Sequence, residues 1–122
     1  MQNNESQEMY LETILVLSQE KEHVRSVDVA NNLGFKKSSV SVGMKHLREK
    51  KYIKVDDKGY ITLTASGQKI AKMIYERHQF LSGYLIKIGV PEEIAIDDAC
   101  KIEHVISQES FEALKKRVKN IK

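Results

Sequence analysis

Cys100, Glu103 and His104 place a thiol, a carboxylate and an imidazole within the segment DDACKIEHVI. On a helix, residues three and four apart share a face, so the three groups point one way. Together they suit a borderline-soft divalent transition metal. An ordinary helix with a buried cysteine, an exposed glutamate and a core histidine would show the same spacing. A second chemistry lies upstream. From Gly34 to Lys58 there are eight Lys/Arg against three Asp/Glu, whereas Glu92 to Glu112 holds seven acids against Lys101 alone. A basic block suits a polyanion and an acidic block suits cations, although each could also be a solvated face.

The elements that position these groups follow from the pattern. Tyr10, Ile14 and Leu17 make a core stripe on a first helix over about residues 5–19, and Met9 and Glu12 lie on a different edge. Ser26 is expected to cap VDVANNL, with Asp28 in its first turn and Gly34 at its end. Ser38 or Ser39 is expected to cap SSVSVGMKHLREKK, whose Val40, Met44 and Leu47 face inward. A short helix, a glycine-containing turn and a longer basic helix form a helix-turn-helix. The front of its second helix offers Lys36, Lys37, Ser38, Ser39, Ser41, Val42 and Lys45. Lysines meet phosphates, hydroxyls meet bases, and Val42 could meet a thymine methyl. In YIKVDDKGYITLT, two β-rich runs flank DDKG and form a wing that places Lys54 and Lys58 near a phosphate or minor groove.

Thr64 or Ser66 starts a long helix to about Ile88, which carries His78. Gly89 stops it, and Pro91 with Glu92 and Glu93 opens a helix expected to reach about Ile106. Ser107 and Ser110 suit the start of a last helix with Phe111, Leu114 and Val118 as its stripe. The fold class is therefore mainly α: a winged helix-turn-helix over residues 1–64, then a helical domain over 65–122. At 122 residues, 41% of them hydrophobic and 30% charged, the chain can bury a core. The single cysteine excludes an intrachain disulfide and points to a reducing compartment. No apolar run approaches the roughly 20 residues of a membrane span, and the polar MQNNESQ start lacks a signal-peptide layout. A cytoplasmic chain with no membrane partner is expected.

The order of elements, with QEMYLETI, LTASGQKIA, ERHQFL and ACKIEHVIS, resembles the diphtheria-toxin-repressor family of metal-activated transcriptional repressors. The likeness covers nearly the whole chain. Its most specific part is E-M-Y at residues 8–10 combined with C-x-x-E-H at 100–104. It implies a DNA-binding half followed by a metal-binding and dimerisation half; the sequence ends after the second, so the SH3-like third domain of longer members is expected to be absent. Met9, Cys100, Glu103 and His104 match the primary metal site of the iron-type branch. The manganese-type branch is similar but has carboxylates where Met9 and Cys100 stand. Glu12 and His78 match its ligand positions, and His78 also matches an ancillary ligand of the iron type. Ser82 and Ile96 stand at two other ancillary positions, neither a good match.

The implied protein is a homodimer that binds double-stranded DNA when loaded with a divalent cation, Fe²⁺ first and Mn²⁺ as the alternative. Two-fold symmetry would match half-sites of a pseudo-palindrome about one helical turn apart, or a multiple of it. Three other readings compete. One is a winged-helix regulator sensing an organic ligand, or redox state through Cys100. Another is a metal hydrolase using Glu103 as base, for which no H-E-x-x-H or G-x-S-x-G motif is present. The third is a protein-interaction module, which leaves the basic helix and wing without a purpose. A non-enzymatic regulator is expected.

Overall fold

The computed structural model describes residues 5–120. Among these are six helices and one two-stranded hairpin, in the order α1 (Glu5–Glu20), α2 (Ser26–Leu33), α3 (Lys37–Glu49), β1 (Ile53–Val55), β2 (Ile61–Leu63), α4 (Ala65–Lys87), α5 (Glu92–Ile102) and α6 (Gln108–Asn120). The chain forms two compact units, divided within α4 between Met73 and Ile74. No helix of the described residues is long and apolar enough to cross a membrane.

In the first unit, α1 buries Tyr10, Leu11, Ile14, Leu15 and Leu17, the i, i+3, i+4 pattern of a helix with one apolar face. Its hydroxyls are absorbed locally: Thr13 Oγ1 donates to the Met9 carbonyl at 2.8 Å and Ser18 Oγ to the Ile14 carbonyl at 2.6 Å. The cap of α2 differs from expectation. Arg25, not Ser26, is the N-cap residue, because the Asp28 carboxylate reaches back to the Arg25 backbone N–H at 2.9 Å. That bond satisfies the Arg25 N–H, as the N3 carboxylate of a capping box does. Asp28 also takes the Lys21 ammonium at 2.7 Å. The helix ends at Gly34 in the left-handed conformation.

Helix α3 begins one to two residues before the expected Ser38 or Ser39 cap, with Lys36 as N-cap residue. Both serines thereby fall in its first turn and stay exposed. Val40, Met44 and Leu47 are buried on its inner face. Gly43 allows close approach: a Cβ there would run into the Tyr10 ring of α1. Tyr10 also meets Phe35 of the α2–α3 turn edge-on, with centroids 6.3 Å apart. After α3, β1 and β2 pair antiparallel in the register Ile53↔Leu63, Lys54↔Thr62 and Val55↔Ile61. The hairpin is tied back to the segment before α2, since the Ile61 N–H donates to the Val24 carbonyl at 2.7 Å. Its turn is closed by Gly59 N–H to the Asp56 carbonyl, and the Asp56 side chain accepts from Lys58 and Tyr60 N–H. Thr64 caps α4 by accepting from Gly67 N–H at 3.2 Å.

In the second unit, Ile74, Leu81, Ala95, Ala99 and Phe111 are buried. The alanines give α5 a narrow inner face, and Phe80 of α4 meets Phe111 of α6 edge-on at 5.5 Å. Ser107 Oγ accepts from the Ser110 N–H at 3.0 Å and so caps α6. Helix α5 stops at Ile102, four residues before the expected end, and Glu103 to Ile106 form turns. The Ile102 carbonyl takes both Val105 and Ile106 N–H, and Arg77 donates to the Glu103 and Ile106 carbonyls of the turn.

Candidate metal centre and nucleic-acid interface

The second unit brings four of the expected ligands together. Helix α4 supplies His78, the last turn of α5 supplies Cys100, and the turn beyond it supplies Glu103 and His104. One ligand atom each of Cys100, Glu103 and His104 lies within 4.8 Å of the others. His78 Nδ1 stands 3.3 Å from Glu103 Oε1, and His104 Nε2 stands 4.0 Å from the same oxygen. The glutamate is not the exposed residue of an ordinary helix, because it is fully buried. Among the described residues its second oxygen, Oε2, has no hydrogen-bond partner. A buried carboxylate oxygen left without a donor is costly, and a cation removes the cost. Sulfur, carboxylate oxygen and imidazole nitrogen together are a donor set for a borderline divalent ion. The residues present therefore fit a divalent transition metal.

Arg77 was not singled out from the sequence. Its guanidinium is almost fully buried. Nη1 donates to the Glu103 and Ile106 carbonyls, each at 3.0 Å, and Nη2 donates to Gln108 Oε1 at 3.0 Å. No periodicity marks it, since its partners are main-chain oxygens 26 and 29 residues away. Met9 and Glu12 lie on α1 of the first unit, both half-buried. Ser82 hydrogen-bonds the His78 and Gln79 carbonyls of its own helix, and Ile96 is exposed.

In the first unit all nine expected DNA-facing residues are exposed. Lys36 lies at the N-cap of α3, and Lys37, Ser38, Ser39, Ser41, Val42 and Lys45 follow on its outer face. Lys54 is on β1 and Lys58 in the wing turn. Between helix and wing runs a shallow groove of about 190 Å³, lined by Ser41, Lys45 and Arg48 on one side and Val55 and Gly59 on the other. Arg48 was missed, although its place three residues after Lys45 puts it on the same face. Arg25 packs against the hairpin. Its guanidinium lies 4.9 Å from the Tyr60 ring centroid, and His23 stacks on that ring at 4.2 Å.

A winged helix with an exposed basic reading face, followed by a helical unit with a sulfur–carboxylate–imidazole cluster, defines a metal-responsive DNA-binding regulator. Comparison with known proteins agrees. Residues 4–61 match the family model "Iron dependent repressor, N-terminal DNA binding domain", and residues 64–122 match "Iron dependent repressor, metal binding and dimerisation domain". The transcriptional regulator MntR of Escherichia coli O6:H1 is 36% identical over 106 residues, covering 87% of this chain and 68% of that protein. The IdeR structure from T. acidophilum superposes with a TM-score of 0.79 at 28% identity, over 91% of this chain and 53% of that one. The structure of the manganese regulator SloR gives 0.84 at 25% identity, over 98% and 55%. The chain thus spans about half the length of these solved structures. It belongs to the diphtheria-toxin-repressor family of metal-dependent transcriptional regulators.

Proposed function

We propose that this chain is a cytoplasmic, homodimeric repressor whose affinity for a palindromic operator rises when it holds Fe²⁺. Residues 1–64 act as its DNA-binding domain and residues 65–122 as its metal-binding and dimerisation domain. The observation that carries the reading is the cluster of Cys100, Glu103 and His104 ligand atoms within 4.8 Å around a fully buried carboxylate. These three residues would hold the ion, with Met9 joining from α1 on the strength of the family resemblance and Glu12 and His78 extending the site. The ion supplies, when bound, the positive charge that offsets the buried carboxylate. Ligands drawn from both ends of the chain favour the conformer in which they are together. A metal then shifts the population of DNA-binding states by its differential affinity for them. Lys36, Lys37, Lys45, Lys54 and Lys58 neutralise phosphates, while Ser38, Ser39, Ser41 and Val42 face base edges.

The thioether of Met9 and the thiol of Cys100 favour Fe²⁺ over hard, oxygen-preferring Mn²⁺. A second reading, activation by Mn²⁺, is favoured by the His78–Glu103 pair at 3.3 Å, a harder nitrogen–oxygen donor set beside the sulfur. It is also favoured by relatives named as manganese regulators. The test is DNA affinity titrated anaerobically against Fe²⁺ and Mn²⁺, for the natural chain and for the Met9→Asp, Cys100→Glu double variant. The iron reading expects the natural chain to respond at lower Fe²⁺ than Mn²⁺, and the double variant to shift toward Mn²⁺. A natural chain that responds first to Mn²⁺ replaces iron with manganese in the reading.

A further inference from the structure

We propose that Arg77 is a positioning residue for the metal ligands: it fixes the turn on which Glu103 and His104 stand. This rests on the metal-site reading above and deepens it. Helix α5 ends at Ile102; Glu103 keeps one helical bond, its N–H to the Ala99 carbonyl, and the turn beyond it carries His104. Carbonyls at a helix end lack intrahelical donors and must find others. One guanidinium provides them here. Arg77 spans the turn, with Nη1 on the carbonyls of Glu103 and Ile106 and Nη2 on the side chain of Gln108, the first residue of α6. The far side of the planar group lies over the Phe111 ring, 5.7 Å from its centroid. A planar fork with five donors can join three acceptors at once, whereas an ammonium cannot match that fan.

The residue that follows Arg77 on α4 is His78, whose Nδ1 meets Glu103 Oε1. Two neighbouring residues thus grip the same glutamate from both of its ends, Arg77 by the main chain and His78 by the carboxylate. The Arg77 bonds to the Glu103 and Ile106 carbonyls need no ion, so they hold the ligand turn before one arrives. Groups behind the ligands commonly change metal affinity by about 10- to 100-fold.

The experiment is an anaerobic Co²⁺ titration of the full chain, read by its d–d and thiolate-to-metal absorption, for the natural protein and Arg77→Ala. Far-UV circular dichroism checks the fold of each. The expected result is a folded variant with Co²⁺ affinity lower by about 10- to 100-fold and an altered band pattern. Guanidinium chloride at millimolar concentration should refill the vacated space and restore both, while equal sodium chloride should not. A general loss of stability would not be repaired by that cation. If the alanine variant does not fold, Arg77→Lys takes its place. It keeps the charge and stem but not the fan, and is expected to show weaker binding and altered bands. Natural affinity and bands in the folded variant overturn the role of Arg77 and leave the metal site standing. A natural protein that bound no Co²⁺ would sink the metal reading and the positioning role together.

Discussion

The burial of Glu103 is unfavourable in the metal-free chain and useful in a metal ligand. A buried charge with one oxygen unsatisfied costs stability, so Glu103→Gln should not lower the metal-free melting temperature and is expected to raise it slightly. The same substitution removes the anionic ligand. Bound ligand stabilises the folded state by about 2.7 kcal/mol at a hundredfold excess over its dissociation constant. Melting curves in chelator and in Co²⁺ should therefore separate for the natural chain and coincide for Glu103→Gln. An equal Co²⁺-induced rise in both proteins would remove Glu103 from the ligand set. At this scale the sequence was readable where chemistry is carried by residue type and spacing, as at Cys100, Glu103 and His104. It was silent on Arg77, whose importance lies in main-chain oxygens that only the folded turn brings to it.

The elements were legible for a related reason. Apolar spacing set the inner faces of α1 and α3, and DDKG marked the wing, because these signals are local. The caps of α2 and α3 and the end of α5 were misplaced by one to four residues, because each depends on which group reaches the free backbone donors or acceptors. The cap of α2 carries a pH dependence. The Lys21 ammonium, then the Arg25 backbone N–H, hold the Asp28 carboxyl below its usual 3.8. A carboxyl lowered in the folded state contributes stability that is fully present above its unfolded pKa, about 3.9, and is lost as pH falls through the folded value. Denaturation of Asp28→Asn should show a loss at neutral pH and a shallower decline than the natural chain below about pH 4. Parallel acid limbs would mean that Asp28 contributes nothing to the helix start.

The α1–α3 contact makes a second prediction for elements. Gly43→Ala would gain about 0.5–1 kcal/mol of helix propensity, but it drives a methyl into the Tyr10 ring, an overpacking that costs about 1–3 kcal/mol. A net loss in chemical denaturation is expected, and Tyr10→Leu should turn the same Gly43→Ala change neutral or favourable. Additive effects of the two changes would show that the rings and the glycine do not meet. On the outer face of α3, each lysine that meets a phosphate adds about 0.9 to the slope of log affinity against log salt. Lys37→Ala and Lys45→Ala should each flatten that slope by roughly this amount, with the fold intact. An unchanged slope would move the DNA away from α3.

For the whole molecule, the second unit leaves Ile88, Ile94 and Val105 exposed, Val105 at 76%. The family model matching residues 64–122 names a dimerisation domain, and these exposed apolar side chains are the test positions for that face. Light scattering at micromolar concentration should report a dimer, and Ile94→Lys with Val105→Lys should yield a folded monomer. A natural chain that is monomeric with metal present would contradict the dimer.

A divalent metal held by the second unit should govern DNA binding by the first, and DNA affinity with and without metal reads this out. A duplex selected from a random-sequence pool in the presence of metal is labelled. Its affinity for the chain is then followed by fluorescence anisotropy under anaerobic conditions, first in chelator and then with Fe²⁺ or Mn²⁺ added back. Coupling between sites is typically worth a factor of about 5–150. Tightening in that range with metal is expected, and its loss in Glu103→Gln. The same dissociation constant with chelator and with either metal would contradict it.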